Sequence, residues 1–186
     1  MLIAIAGGAG VGKSFVCEII EEKGFLVFDV DKINRDLFNT SSYKQNLLRL
    51  FPEAIVNNRI NKDIISKMIF DDPIKRAQLE ALSHPAIIEQ IIKLKSLDGI
   101  NFIQIPLLIS SNTRFLFDKI WAVYATKEER LNRIISRNSF ITEYAEKIII
   151  AQALEEQVYA IADSIINNSN NSKIEDDINR LLDSLC

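Results

Sequence analysis

The sequence predicts an α/β fold in which a five-stranded, mainly parallel sheet is flanked by helices. Five short apolar runs alternate with stretches of helical periodicity, a pattern typical of parallel strands joined by right-handed crossovers. A glycine-rich segment follows the first apolar run without a spacer and leads directly into a helical stretch. The composition is that of a globular chain, with 48% apolar and 25% charged residues among 186. We therefore expect one domain, 1–186, with lobes.

The first elements are a strand, a helix and a second strand. Residues 2–6 are an unbroken apolar run, which is the pattern of a strand buried on both faces. From Lys13, apolar residues recur at helical spacing until Gly24, a residue suited to ending a helix. Residues 25–28 form the second apolar run, which ends at Asp29-Val30-Asp31.

A long insert, residues 31–98, reads as consecutive helices. Phe51-Pro52 and Asp72-Pro73 supply the breaks, because a residue before proline is disfavoured in the helical region. An insert of this length after the second strand predicts a helical lobe beside the sheet.

The remaining elements again alternate between strand and helix. We predict three strands and two helices, at residues 101–105, 120–125 and 164–166 and at residues 127–137 and 142–161. A patch rich in Asn and Ser, residues 167–172, predicts a loop before the last helix.

Charge and cysteine content narrow the class of partner and compartment. The net charge of −3 lacks the basic excess that a nucleic-acid-binding surface requires. Cys17 and Cys186 have neither the number nor the spacing of a disulfide framework or zinc site, which predicts reduced thiols. The chain begins without a basic signal region, and no apolar run approaches the ~18 residues of a membrane span. We expect a cytoplasmic monomer or small homo-oligomer without nucleic-acid or membrane partners.

The glycine-rich segment matches the phosphate-binding pattern G-x-x-x-x-G-K-[ST]. In such a P-loop, backbone N–H groups surround nucleotide phosphates and the following helix directs its positive end at the anion. Lys13 is expected to reach the β and γ phosphates, and the Ser14 hydroxyl to hold Mg²⁺. The loop residues predicted to bind ATP are Gly8, Ala9, Gly10, Val11, Gly12, Lys13, Ser14 and Phe15. The dinucleotide pattern G-x-G-x-x-G fails, because its third glycine falls on Lys13 or Phe15.

Two aspartates end the second strand, at the sheet edge where α/β proteins bind ligands. Asp29 and Asp31 would face one site if the chain stays extended through Val30. One of them could accept the proton of an alcohol during phosphoryl transfer, and Arg35 could hold an anionic group of the acceptor. Helix capping is the alternative for each aspartate. The third strand ends at Ile105-Pro106 without an acid, so Mg²⁺ would rely on Ser14, phosphates and water, with Asp31 as a further candidate ligand.

Several separated motifs together resemble the dephospho-CoA kinase family over nearly the whole chain. They are the segment Ile5-Ala6 through Ser14, Phe28-Asp29-Val30-Asp31 with Arg35, Leu82-Ser83-His84-Pro85, Pro106-Leu107-Leu108, Arg133 with Arg137, Ala151-Gln152, and Ala162-Asp163 followed by Ile166-Asn167-Asn168.

This resemblance implies transfer of the γ phosphate of ATP to the ribose 3′-hydroxyl of dephospho-CoA, the last step of CoA synthesis. It also implies a P-loop NTPase fold with an acceptor-binding lobe at about 32–98 and a lid at about 127–158. Asp31 and Lys13 are then the catalytic residues, and Asp31, Arg35 and His84 bind the substrate. Arg137 in the lid contacts the phosphates of ATP, and Mg²⁺ is required.

The residues leave alternatives open. The acceptor could be a nucleoside monophosphate or a shikimate-like alcohol, or the chain could be a nucleotide-dependent regulatory module. His84-Pro85 could merely end one helix and start another, and the arginines at 130, 133 and 137 could form a solvated helical face. Three departures from the family pattern stand out. Phe15 replaces a threonine, Ser110 replaces a glutamate, and no basic residue follows Gln152.

Overall fold

A computed structural model of the chain describes residues 1–56, 59–138, 141–169 and 173–185. It divides into two compact units. The sheet unit comprises Met1–Val30 and Lys93–Cys186, and the helical unit comprises Asp31–Ile92. Cys186 and residues 170–172 of the predicted polar loop lie outside the described residues.

The sheet unit contains five parallel strands and the helices that cover them. In chain order its elements are β1 (Leu2–Ala6), α1 (Lys13–Glu22), β2 (Leu26–Asp29), β5 (Asn101–Ile105), β6 (Lys119–Tyr124), α6 (Lys127–Asn138), α7 (Thr142–Ala151), α8 (Val158–Ile161), β7 (Ser164–Asn167) and α9 (Ile174–Asp183). The strand order is β2-β5-β1-β6-β7, and every neighbouring pair is parallel. The predicted α/β fold class is therefore confirmed.

The sheet core explains why β1 reads as an unbroken apolar run. All five β1 side chains are fully buried, because the strand is central and helices cover both faces. Ile3 and Ile5 pack with Phe102 of β5 and Trp121 of β6, and the rings of Phe102 and Trp121 lie 5.2 Å apart. The central strand thus has a rigid base at the point where the glycine-rich loop begins.

The order of the strands creates one switch point at the carboxyl edge of the sheet. The chain leaves β1 toward β2 on one side, whereas it leaves β6 toward β7 on the other. Because β1 and β6 are neighbours, the loops that follow them diverge and leave a crevice, which is where open α/β sheets bind ligands. The segments at this crevice are the loop after β1 and the start of α6.

The helical unit contains α3 (Ser41–Leu50), α4 (Lys62–Asp71) and most of α2 (Val30–Leu37) and α5 (Pro73–Lys95). As predicted, α3 ends before Phe51-Pro52 and α4 before Asp72-Pro73. The interpretation of the insert as helices alone is wrong, because Ile55–Val56 (β3) and Arg59–Ile60 (β4) pair as a short antiparallel hairpin. A two-residue strand is too short to show the alternation that identifies strands.

The helical unit has its own small apolar core. Tyr43 and Leu47 of α3 pack there with Leu37, Phe51 and Ile65. The Ser83 hydroxyl donates to the Leu79 carbonyl at 2.8 Å, so the Tyr43 hydroxyl, 2.6 Å away, donates to Ser83. This buried polar pair joins α3 to α5.

No helix within the described residues is both long enough and apolar enough to cross a membrane.

Candidate active site

The glycine-rich loop, residues 7–12, turns the chain from β1 into α1 at the switch point. Gly10 (φ +78°) and Gly12 (φ +91°) adopt left-handed backbone conformations that disfavour any side chain. Helix α1 starts at Lys13, directly after Gly12. The sequence pattern predicts an anion site at the N–H groups of this loop and of the first turn of α1.

Lys13 is folded back over the loop. Its ammonium group donates to the carbonyl oxygens of Gly7 at 2.7 Å and Gly8 at 3.1 Å. Both acceptors are neutral, so phosphate oxygens would be stronger acceptors for the same charge. The half-buried Lys13 ammonium group lies beside the loop carbonyls, and a phosphate bound at the loop would attract it.

Two predicted ATP ligands next to the loop, Ser14 and Phe15, are exposed in the first turn of α1. No group of three or more His, Cys, Asp or Glu side chains able to hold a metal occurs within the described ranges. A P-loop Mg²⁺ needs no such cluster, because phosphate oxygens and water supply most of its ligands. The exposed Ser14 hydroxyl at the helix start is of the type that completes such a set.

Arg130 of α6 contacts the loop directly. It is 3% exposed, its Nε donates to the Ala9 carbonyl at 2.8 Å, and its Nη1 pairs with Glu156 at 2.9 Å. The guanidinium fills the space beside Gly8, where a Cβ would lie 2.7 Å from Nη2. At Gly10 a Cβ would lie 2.6 Å from the Arg130 carbonyl oxygen. Gly10 is therefore needed for contact with the α6 backbone as well as for its own backbone conformation, whereas a side chain at Gly8 would displace the Arg130 guanidinium.

Arg133 and Asn168 hold the end of the loop. Arg133 donates to the carbonyls of Val11 at 3.1 Å and Asn168 at 2.7 Å, and the Asn168 amide donates to Val11 at 2.8 Å. A Cβ on Gly12 would lie 2.1 Å from the Asn168 amide nitrogen. The backbone carbonyls of the loop thus have fixed partners from α6 and from the segment after β7.

These contacts rule out a solvated face for the first two arginines of α6. Arg130 is buried and Arg133 is half-buried, whereas Arg137, one turn further, is exposed. Arg130 and Asn168 were not predicted as parts of the site. Their positions after β6 and β7 could have indicated it, because β6 neighbours β1 at the switch point and β7 neighbours β6.

A buried carboxylate, from Glu155, contacts the segment that follows β5. Glu155, 1% exposed, accepts hydrogen bonds from the backbone N–H groups of Ile109 and Ser110 at 3.0 and 3.1 Å. It also accepts one from the Ser110 hydroxyl at 2.8 Å. Ser110, which stands where the family pattern has a glutamate, is therefore hydrogen-bonded to a carboxylate from another segment.

The residues predicted for the acceptor lie in the helical unit. Asp31 and Arg35 are exposed, one turn apart on α2, and His84 is exposed on α5. Extended geometry does not persist through Val30, because α2 begins there, so the condition under which strand alternation would turn Asp29 and Asp31 to one site is not met. The interpretation of His84-Pro85 as a helix boundary is also wrong, because α5 runs through Pro85.

Burial near the loop affects one thiol strongly. Cys17 lies on the inner face of α1 in the sheet core. Desolvation, reinforced by the carboxylates of Glu21 and Asp29, raises the pKa of Cys17 to about 12. The thiol therefore stays protonated and unreactive at neutral pH, in agreement with a reduced cysteine.

A buried parallel strand, a glycine loop ending in Lys-Ser and a helix that starts at that lysine define the class of P-loop phosphotransferases. The sequence model of one family in this class, dephospho-CoA kinase, matches residues 1–174. The chain belongs to the dephospho-CoA kinase family.

Individual relatives agree with this assignment. A dephospho-CoA kinase from Fusobacterium nucleatum is 35% identical over 180 residues, covering 95% of this chain and 92% of the relative. One from Carboxydothermus hydrogenoformans is 34% identical over 177 residues, covering 90% and 85%. The resemblance found in the sequence motifs is confirmed.

Solved structures agree on the fold. A Thermus thermophilus protein, TT1252, superposes with a TM-score of 0.88 at 28% identity, covering 100% of this chain and 98% of its own. The dephospho-CoA kinase from Campylobacter jejuni gives 0.74 at 24% identity, covering 99% and 96%. Shikimate kinase from Bacteroides thetaiotaomicron gives only 0.60 at 16% identity, covering 100% and 98%, which shows a shared fold alone.

Proposed function

We propose that this protein transfers the γ phosphate of ATP to the ribose 3′-hydroxyl of dephospho-CoA, giving CoA and ADP. One observation carries the proposal. In a chain that belongs to this family, the ammonium group of Lys13 lies at the phosphate loop, where it donates to the Gly7 and Gly8 carbonyls. As an alcohol-accepting phosphotransferase, it needs a site for the donor phosphates and a base for the acceptor hydroxyl.

On the donor side, the loop amides of residues 8–15 bind the ATP phosphates. Lys13 moves its ammonium group from the loop carbonyls to the β and γ phosphates, where it stabilises the charge of the transferring group. The Ser14 hydroxyl would hold Mg²⁺, which would supply positive charge that offsets the charge of the phosphates. Arg137, exposed in the last turn of α6, contacts the phosphates from a lid at about 127–158.

On the acceptor side, Asp31 acts as the base. Its carboxylate accepts the proton of the 3′-hydroxyl as the hydroxyl oxygen bonds to the γ phosphorus and the bond to the ADP oxygen breaks. Arg35 and His84 bind the acceptor, within a lobe at about 32–98. Support for these roles comes from the exposure of all three side chains on regular helices, where a large substrate can reach them.

We also propose that the protein acts in the cytoplasm, as a monomer or small homo-oligomer. The co-substrate ATP is a cytoplasmic nucleotide, and the net charge of −3 gives no support to a nucleic-acid partner.

The test is ADP release with ATP and Mg²⁺ against dephospho-CoA, AMP, CMP and shikimate. We expect turnover with dephospho-CoA alone, and mass spectrometry of the product should show one added phosphate. CoA is the matched control acceptor, because its 3′-hydroxyl already carries a phosphate. The Lys13→Ala variant reports background hydrolysis. No turnover of dephospho-CoA above that background, or equal turnover of CoA, would contradict the proposal.

A further inference from the structure

Within the part of the chain that the structure describes, one nitrogen of the Arg130 guanidinium has no hydrogen-bond partner, and that nitrogen faces the phosphate loop. Nε and Nη1 donate to Ala9 and Glu156, whereas Nη2 is buried and has no hydrogen-bond acceptor among the described residues. The guanidinium is planar, so fixing two nitrogens also fixes the direction of the third. Nη2 therefore points at the loop beside Gly8.

A buried, charged donor without an acceptor is unfavourable. Leaving such a group unsatisfied sacrifices its hydration without a compensating hydrogen bond, and the penalty is larger for a charged group than for a neutral one. The side chain of Glu156, which is 53% exposed, offsets the charge at the opposite end of the guanidinium. The loop end of Arg130 thus retains the capacity to bind an anion.

The chemistry of the neighbouring groups indicates which kind of anion would bind at Nη2. Nη2 lies beside Gly8 of the loop. The Gly8 carbonyl accepts a hydrogen bond from the Lys13 ammonium group. Two cationic groups, Lys13 and Arg130, and the start of α1 lie beside one short loop, and together they favour a multiply charged phosphate over a carboxylate. The planar N–H groups of arginine suit phosphate oxygens particularly well.

We propose that Arg130 is a further nucleotide-binding residue, whose Nη2 donates to a phosphate oxygen of the bound nucleotide. The proposal rests on the proposed function only in that the ligand is ATP or ADP. Because Nε holds Ala9 at the same time, binding of phosphate and the shape of the loop are coupled through one side chain. Arg130 thereby supplies a fixed cation, in contrast to the exposed Arg137.

The test compares ligands that carry different numbers of phosphates. Binding of ADP, pyrophosphate and adenosine is measured by calorimetry for the wild type, Arg130→Met and Arg130→Lys. Arg180→Gln is the control, because Arg180 is exposed and pairs with Asp177 on α9. For Arg130→Met we expect affinity for ADP and pyrophosphate to fall about 10- to 100-fold, the range for a hydrogen bond to a charged group. Adenosine affinity should change less than about twofold.

Arg130→Lys separates charge from geometry. It keeps the positive charge but lacks the fork that reaches Ala9, Glu156 and a phosphate together, so we expect an intermediate loss for ADP. Equal losses for adenosine and ADP would overturn the proposal and make Arg130 a support of the loop. Unchanged ADP binding in Arg130→Met would overturn it as well. A thermal melt of each unliganded variant shows whether the fold is retained.

These binding measurements need no acceptor substrate. If the wild type fails to phosphorylate dephospho-CoA but Arg130→Met still loses ADP selectively, the acceptor assignment fails and the Arg130 proposal stands. If the wild type turns over dephospho-CoA and Arg130→Met binds ADP normally, the reverse holds. An ADP complex offers a direct check, since Nη2 should lie within roughly 3.2 Å of a phosphate oxygen.

Discussion

The phosphate loop and the helical unit present their functional residues in opposite ways. The loop has almost no side chains, and its shape is held by buried groups, Arg130 and Asn168, that come from more than a hundred residues away. In the helical unit Asp31, Arg35 and His84 are exposed on helices that pack by their other faces. The proposed donor site is therefore preorganised by the fold, whereas the proposed acceptor site depends on a few exposed side chains.

This difference has a physical reason. Phosphates are recognised largely by backbone N–H groups, so the protein must fix the backbone, and fixing it requires buried partners and glycines. A particular acceptor is recognised by side chains, which need only a rigid helix beneath them. Substitutions should accordingly act on binding and stability in the loop, and on turnover in the helical unit.

The largest expected effect tests the helical side of this comparison. Asp31→Asn should lower kcat by roughly 10²- to 10⁴-fold with little change in ATP affinity, because the base is lost while the donor site is untouched. Steady-state kinetics with dephospho-CoA measure both quantities. Asp36→Asn is the matched control, as Asp36 is exposed on the same helix. A kcat within about threefold of wild type would make Asp31 a helix-stabilising residue.

An intermediate effect tests the loop side, by comparing two glycines with similar backbone conformations. Gly10 and Gly24 have φ of +78° and +91°, but a Cβ at Gly24 meets nothing within 4 Å, whereas one at Gly10 meets the Arg130 backbone at 2.6 Å. Gly24→Ala should cost only the backbone strain, about 1–2 kcal/mol of unfolding free energy, and leave ADP binding unchanged. Gly10→Ala should add a loss of ADP affinity on the order of 10- to 100-fold.

Urea unfolding and ADP calorimetry on both glycine variants provide the measurement. Equal effects of the two substitutions on unfolding free energy and on ADP affinity would show that contact with α6 does not determine the shape of the loop. The loop would then not be preorganised by buried partners.

The smallest expected effect at neutral pH is on folding stability, and it comes from the Cys17 thiol in the buried core beneath the loop. The pKa of Cys17 is raised to about 12 by burial, whereas in the unfolded chain the thiol ionises near pH 8.5–9. Above about pH 9 the unfolded state therefore binds fewer protons than the folded state, and stability contributed by the neutral thiol is lost as pH rises toward 12. The slope for one such group is at most about 1.4 kcal/mol per pH unit.

Urea unfolding of the wild type and Cys17→Ala at pH 8, 9, 10 and 11 isolates this contribution. Tyr43 and Tyr159, whose pKa values are also raised by desolvation, titrate in both proteins and cancel in the difference. The stability difference between the proteins should shrink above pH 9. A difference that stays constant up to pH 11 would show that the thiol is hydrated in the folded state.

Elements with strong local patterns could be predicted closely. The bounds of β1 and β5 are those of the apolar runs, and α1 begins at Lys13 as expected. The second strand is shifted by one residue, because Gly24 (φ +91°) follows α1 and the strand starts only at Leu26. The pairing of β3 with β4 was missed because strands of two residues leave no periodic signal in the sequence.

The sequence by itself determined the fold class, the phosphate loop and the family, because each depends on residues that are neighbours along the chain or on motifs in a fixed order. Only the tertiary structure decided that Arg130 and Asn168 hold the loop, and that Glu155 supplies a carboxylate beside Ser110. These contacts join segments up to 157 residues apart. Local periodicity carries no information about such pairs, since their meeting depends on the order of strands in the sheet.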